Sequence, residues 1–451
     1  MIKHRLMLSA AAAALLTAAL AVAAARADTE VSTQTSTAIN TASGGNIVID
    51  ATGTVNITTA GTAAVTLNSN NAVTNSGAIS NAGTDTGIAV IIDTSAGNIQ
   101  SNGFASTGTI DVGGGGTSKR GILIQGGNTF YGPITLTDLL ATSTLTGTTT
   151  TAQSSAIIMQ GDASAAFLLT QGTKVTSDIL LGGGGIVQNA SVNSTASNSI
   201  IVDLDGTVNG NVYLQGGLSG VGPGMIGLQT LGGIHACSSD KSAPSGFTCP
   251  SSSGGSLINA GTISLIGSAT FNSRGNNPEA GSAVVIGGSI DGGFLNNGPG
   301  TSNNVGQAQI SSSGLTLSGV SNPTFLIDPT KSITGTLTAP RGPVILGPVT
   351  ADIDPIDPGY SLINRGTIRA QPTDPELGTA AMVIQGASAT YFTCLSSSVT
   401  TTTCDTAHHD NVTEAVTGTV NGATVTNNVL VNNRGGLLNT GTISAQAITN
   451  S

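Results

Sequence analysis

The sequence predicts an all-β fold, a single-stranded parallel β-helix with almost no helix after its first residues, and three observations carry that expectation. The first is a recurring motif, an apolar pair followed by Asn-x-Gly-Thr/Ala-Ile. It appears at Val73–Ile79, Leu257–Ile263, Leu362–Ile368 and Leu437–Ile443. In a pleated chain the aliphatic residue, Asn, Gly and Ile of each copy fall on one face, because side chains alternate with a period of two. The second is composition. Aromatic residues make up 3% of the 451 residues, Trp is absent and charged residues are 8%. A thick globular core would lack its bulkiest parts, whereas a thin core of stacked Ile, Val, Leu and Ala would not. The third is that no stretch beyond the first residues repeats apolar positions at i, i+3, i+4 and i+7 between caps. Parallel strands without crossover helices close into a solenoid.

Each element follows from this reading. Asn75, Asn259, Asn364 and Asn439 occupy equivalent turn positions, so stacked coils would let their amides bond along a ladder. The glycines two residues on, Gly77, Gly261, Gly366 and Gly441, are expected to give the backbone freedom that a sharp corner needs. A second unit reads as short buried strands ended by a Gly turn: Gly121–Gly126, Ala156–Gly161, Ala283–Gly288 and Ala381–Gly386. Its outward parity is apolar at Leu123, Ile158, Val285 and Val383, which predicts a face suited to self-association. The loops between the two units, 80–87, 111–121, 267–282 and 370–379, collect Asp85, Lys119, Arg120, Arg274, Glu279, Asp374 and Glu376. Loops leaving equivalent points of stacked coils line one face. At about 20 residues per coil the chain would make roughly 20 coils and a rod on the order of 100 Å.

The beginning of the chain indicates a compartment. Lys3 and Arg5 precede an apolar run from Leu6 to Ala25, closed by Ala25-Arg26-Ala27, the pattern of a cleavable signal peptide over residues 1–27. Residues 28–60 are expected to start and cap the solenoid, and 61–451 to form its body. Removing residues 1–27 takes away three of the 13 Lys and Arg and none of the 23 Asp and Glu, leaving a net charge of −13. Nucleic acid and anionic membrane both demand a basic partner surface, so neither is expected. A mean hydropathy of +0.22 argues against disorder. The four cysteines form two near pairs, Cys237 with Cys249 and Cys394 with Cys404. In an exported protein these read as two local disulfides, each contributing about 3 kcal/mol or less. Neither pair has the spacing of a zinc site.

The segment Gly61–Gly77 (GTAAVTLNSNNAVTNSG), the Asn-x-Gly-Thr-Ile repeats and the N-terminal signal together resemble the secreted passengers of Gram-negative autotransporters. The resemblance covers essentially the whole chain after residue 27. It implies a right-handed parallel β-helix, export to the cell surface, outer membrane or medium, and partnership with the export machinery and an outer-membrane barrel. Closely spaced cysteine pairs are similar to that family too. Such barrels have alternating strands of about 10 residues and aromatic girdles, which this sequence does not match. The chain stops at Ser451, a few residues after a fresh repeat, so the barrel is expected either beyond Ser451 or on a separate protein.

Chemistry is sparse. The best acidic cluster is Asp352, Asp354 and Asp357, within Asp-Ile-Asp-Pro-Ile-Asp-Pro, where paired carboxylates could serve as acid and base on a glycosidic bond. Pro355 and Pro358 make an extended, solvated loop the simpler account. His408 and His409 stand near Asp405 and Asp410, but adjacent residues of an extended loop point apart. His235 stands alone beside Cys237. Gly222–Gly227 matches a dinucleotide fingerprint as a string only, since no helix follows to receive pyrophosphate. No Gly-x-Ser-x-Gly elbow or P-loop occurs. The expectation is therefore a non-enzymatic rod with no cofactor, acting in adhesion, auto-aggregation or as a stalk, with host or matrix glycans or identical rods as partners. A polysaccharide-degrading enzyme and a truncated passenger without independent function are the alternatives.

Overall fold

The computed structural model describes residues 27–296 apart from 84, 115, 138–156, 183–184, 191–196, 251–253 and 268–280. Beyond 296 it describes 309–314, 325–327, 360–364, 366–372, 381–384, 392–394, 413–420, 423–432, 436–439 and 442–445. These residues form a parallel β-helix, apart from Phe392–Cys394, Ala423–Asn432 and Thr413–Val420, which pair in that order as a three-stranded antiparallel sheet. Two sheets of 11 strands and one of 10 run the length of the molecule, and each strand pairs with the equivalent strand one coil away. A shorter fourth sheet of five strands spans the coils from Ile99–Gln100 to Ile234–His235. Helix among the described residues is confined to one turn at Thr41–Gly44, capped by Asn40 accepting from the Ser43 N–H, and a 3-10 turn at Cys237–Ser239. No helix among the described residues is long and apolar enough to cross a membrane.

The period of two places the core. In the first sheet Ile47, Val73, Phe104, Ile134, Ile179, Val212, Leu257 and Phe294 stack in register and are buried. In the second the row is Val55, Ile79, Ile110, Ile157, Ile186, Leu218 and Ile263. In the third it is Val65, Val90, Ile122, Phe167, Val202, Leu228 and Val284. The Ile of the repeat motif is thus the inner residue of the second sheet. Each such side chain contributes roughly 1.5–3 kcal/mol by leaving water.

Three expectations need correction. Among the described residues the first sheet has 11 strands, one per coil, against the roughly 20 coils expected, so its ten spacings of about 4.8 Å give a stack of roughly 48 Å. Coil length was the error. Consecutive strands of the first sheet start 18 residues apart at Thr29 and Ile47 but 45 apart at Val212 and Leu257, because loops enter between strands of constant pitch. The second unit is also not one sheet: Ile122, Val284 and Met382 lie in the third, whereas Ile157–Gln160 lies in the second, in register with Ile110–Val112. The apolar outward parity consequently does not form one face. Leu123 is buried on the third sheet, Ile158 is exposed on the second, and the side chain of Val383 lies outside the described ones.

Candidate functional surfaces

The corner from the first to the second sheet holds the Asn-x-Gly residues. Asn75, Asn259, Asn296, Asn364 and Asn439 end strands of the first sheet, with Asn259, Asn296, Asn364 and Asn439 on four consecutive coils in register. Asn259 Nδ2 donates to Asn296 Oδ1 at 2.9 Å, and Asn296 Nδ2 donates to Asn364 Oδ1 at 2.7 Å, all three side chains being buried. The side chain of Asn439 and all of Gly441 lie outside the described residues. Asn75 stands apart, because Ser106, Leu136, Leu181 and Leu214 fill the same row between it and Asn259. Its Nδ2 donates to Ser106 Oγ at 3.0 Å and its Oδ1 accepts from the Gly77 N–H at 3.1 Å. Where the run begins, against Leu214, Asn259 Oδ1 is buried without a partner. Asn296 is a ladder member outside the repeat motif. It sits in Asn-x-Gly at 296–298, but Pro299 replaces the Thr or Ala that defines the repeat.

The glycines have a different cause from the one expected. Gly77 and Gly261 are not among the residues at positive φ. A Cβ on Gly77 would lie 2.1 Å from the Gly53 carbonyl oxygen, and one on Gly261 2.1 Å from that of Gly216. Close approach of the neighbouring coil, not dihedral freedom, requires Gly here.

The corner from the second to the third sheet carries the charged loops. Asp85 Oδ1 accepts from the Thr117 N–H at 2.9 Å. Lys119 is wholly buried and its Nζ donates to the Gly113 carbonyl; burial lowers its pKa while Asp85 and Asp111 oppose the change. Arg120 donates from one guanidinium nitrogen to the carbonyls of Lys119 at 2.7 Å and Ala163 at 3.0 Å. Arg274, Glu279, Asp374 and Glu376 lie outside the described residues, as do Asp352, Asp354 and Asp357, His408, His409 and the Cys404 loop.

On the outward side of the third sheet stands a carboxylate pair, Asp203 with Asp205, that is not among the acids singled out in the sequence. Burial, followed by the neighbouring charge of Asp205 and a hydrogen bond with it, pushes the Asp203 carboxyl up to about 7, against the opposing effect of the Gln229 amide and Arg120. Gln229 Nε2 donates to Asp203 Oδ1 at 3.2 Å. The signal was legible: Asp-Leu-Asp at a spacing of two must put both acids on one face of a strand.

The fourth sheet has its own outer layer. Cys237 and Cys249 are disulfide-bonded, with Cα atoms 5.7 Å apart, and the segment they close lies back over Tyr131 and Thr176. The Tyr131 hydroxyl donates to the Ser242 carbonyl at 3.0 Å, its ring meets Phe247 edge-on at 5.2 Å, and Thr176 Oγ1 donates to Asp240 Oδ2 at 2.7 Å. His235 is not solitary: its Nδ1 lies 3.0 Å from Asp291 Oδ2, and that hydrogen bond raises the imidazole pKa. Among the described residues no group of three or more His, Cys, Asp and Glu gathers to hold a metal ion. No family model, no curated protein and no solved structure matches the chain.

Proposed function

We propose that the chain is the β-helical passenger of an autotransporter-type exported protein and works without catalysis, as a surface rod for adhesion, auto-aggregation or spacing. The observation that carries this reading is the unbroken parallel stacking in which the constant positions are inner ones. The outer positions and loops vary from coil to coil, as Thr74, Ala105 and Thr135 do along the first sheet. A scaffold of this kind repeats weak polar contacts along an axis, and weak contacts gain by repetition. The signal-like residues 1–27 support export, and a barrel in cis or in trans would complete the route to the surface. Host or matrix glycans and identical rods are the partners that its polar, acidic exterior suits.

A polysaccharide-degrading enzyme is the second reading, and Asp203 with Asp205 is the pair that favours it. The two carboxyls share a hydrogen bond, closer than the roughly 5 Å or more that either glycosidase geometry needs. The non-catalytic reading is therefore preferred. The deciding experiment displays the chain on Gram-negative cells with a translocator barrel and measures external protease access, cell–cell clumping and retention on glycan-coated surfaces. Surface exposure with gained adhesion supports the proposal. Retention in the periplasm, or polysaccharide turnover abolished by Asp203→Asn or Asp354→Asn, replaces it.

A further inference from the structure

The fourth sheet contains an internal comparison that bears on the disulfide-closed segment. Its inner row is Ile99, Phe130, Val175, Val208 and Ile234, buried by the solenoid itself. Its outer row, one residue on, is Gln100, Tyr131, Thr176, Asn209 and His235. Outward residues of a solenoid meet water unless something lies on them. Gln100 does meet water, whereas Tyr131 and Thr176 are 0% exposed and Asn209 is 6% exposed. The difference is the segment 237–249, which reaches back from the coil of His235 over those of Asn209 and Thr176 to Tyr131, about 14 Å for three coil spacings.

Side-chain contacts hold the segment on. Phe247 meets the Tyr131 ring, Ser242 accepts from its hydroxyl, and Asp240 accepts from Thr176, which in turn accepts from Asn209 Nδ2 at 3.1 Å. Lys241, Ser242, Ser245, Gly246 and Thr248 are exposed along the segment. What fixes its two ends together is the Cys237–Cys249 bond, and a closed loop has far fewer detached conformations to lose than an open one.

We propose that the Cys237–Cys249 segment is a releasable cover. In the disulfide form it hides the Tyr131, Thr176 and Asn209 row; a dithiol reductant opens the bond and the cover leaves. The exchange balances: the dithiol is oxidised to its own disulfide, and its two electrons and two protons make thiols of Cys237 and Cys249. The surface then presented is one aromatic ring, one hydroxyl and one amide on successive coils, while the inner row and the backbone ladders stay in place.

The test uses the full chain with Cys394→Ser and Cys404→Ser, so that one disulfide remains. Nitration of Tyr131 by tetranitromethane is followed by peptide mapping, because the chain has four tyrosines, and tryptic cleavage after Lys241 is timed alongside. Dithiothreitol treatment, or Cys237→Ser with Cys249→Ser, is expected to speed both reactions by about tenfold or more with the far-ultraviolet β-sheet signal retained. Tyr131 protected as well in the reduced protein as in the oxidised one overturns the proposal. So does loss of the β-sheet signal on reduction, since the bond would then hold the solenoid and not a cover. If the double serine variant does not fold, reduction of the folded protein decides alone.

Discussion

The corner joining the first and second sheets and the corner joining the second and third do the same job, turning a strand into the next face, by opposite means. The first is built from close backbone approach. The Gly53 carbonyl accepts from the Ala78 N–H at 3.0 Å and the Gly77 carbonyl from the Thr109 N–H at 2.9 Å, leaving no room for a Cβ. The second is built from dihedral angle. Gly61, Thr86, Ser118, Ala163, Asn198 and Gly224 have φ of 70°, 51°, 58°, 48°, 47° and 67°. Each stands two residues before the start of a third-sheet strand, at Ala63, Ile88, Arg120, Ala165, Ile200 and Ile226, which are in register. The N–H groups of Thr86, Ser118 and Ala163 donate to the carbonyls of Thr117, Asp162 and Ser197 on the next coil at 2.9, 2.9 and 2.6 Å. A steric constraint admits one residue type, whereas a left-handed constraint tolerates several at a cost of order 1–3 kcal/mol each. The first corner therefore repeats in sequence and the second does not.

Substitutions can break this contrast, beginning with the largest effect. Asn296→Ala removes the middle of the amide run and takes away the partner of Asn259 Nδ2 and the donor to Asn364 Oδ1, so urea denaturation should show a loss of about 3–5 kcal/mol. An unchanged midpoint would mean that the ladder is not a stabilising element. Gly77→Ala sets a methyl 2.1 Å from a backbone oxygen and should destabilise by about 1–3 kcal/mol, with hydrogen exchange rising first in Val73–Asn81.

Asp203 gives a pH signature at the third sheet. Its folded-state pKa is raised from an ordinary 3.8 to about 7, so between those values the folded chain holds a proton that the unfolded chain has released. The contribution of Asp203 to stability therefore falls as pH rises from about 4 to about 7 and is level outside that window. Asp203→Asn should flatten the slope, and a slope that survives assigns it to another group. The smallest effect is Ala163→Gly, which relieves a left-handed alanine and should raise stability by about 0.5–1 kcal/mol. The same change at Ala105, an outward strand residue of the first sheet, should lower it by a similar amount.

The legible part of the fold was whatever one residue type repeats. The Ile of the motif marks the inner row of the second sheet, and the β-helix could be read from Ile79, Ile263, Ile368 and Ile443. Coil number could not be read, because the chain length between equivalent strands changes, as from Thr29 to Ile47 and from Val212 to Leu257, without a change of pitch. The left-handed row was invisible, since Thr86, Ser118, Ala163 and Asn198 share an angle and no chemistry. At the candidate surfaces, Asp203 and Asp205 could have been paired from their spacing, but their burial depends on neighbouring coils. The cysteine spacing suggested a closed loop at 237–249, while nothing in it indicated that the loop would lie on Tyr131, more than 100 residues earlier.

Constant pitch with variable coil length has a consequence for descent. A duplication or insertion landing between the second and third sheets lengthens one loop and leaves every inward row aligned. One residue lost within a strand such as Ile122–Ile124 reverses the parity of the rest of that strand up to the next corner. Variation in such a gene should therefore arrive as whole segments at corners and as single exchanges on outer rows, so that the exterior can be rewritten quickly around a backbone that barely changes.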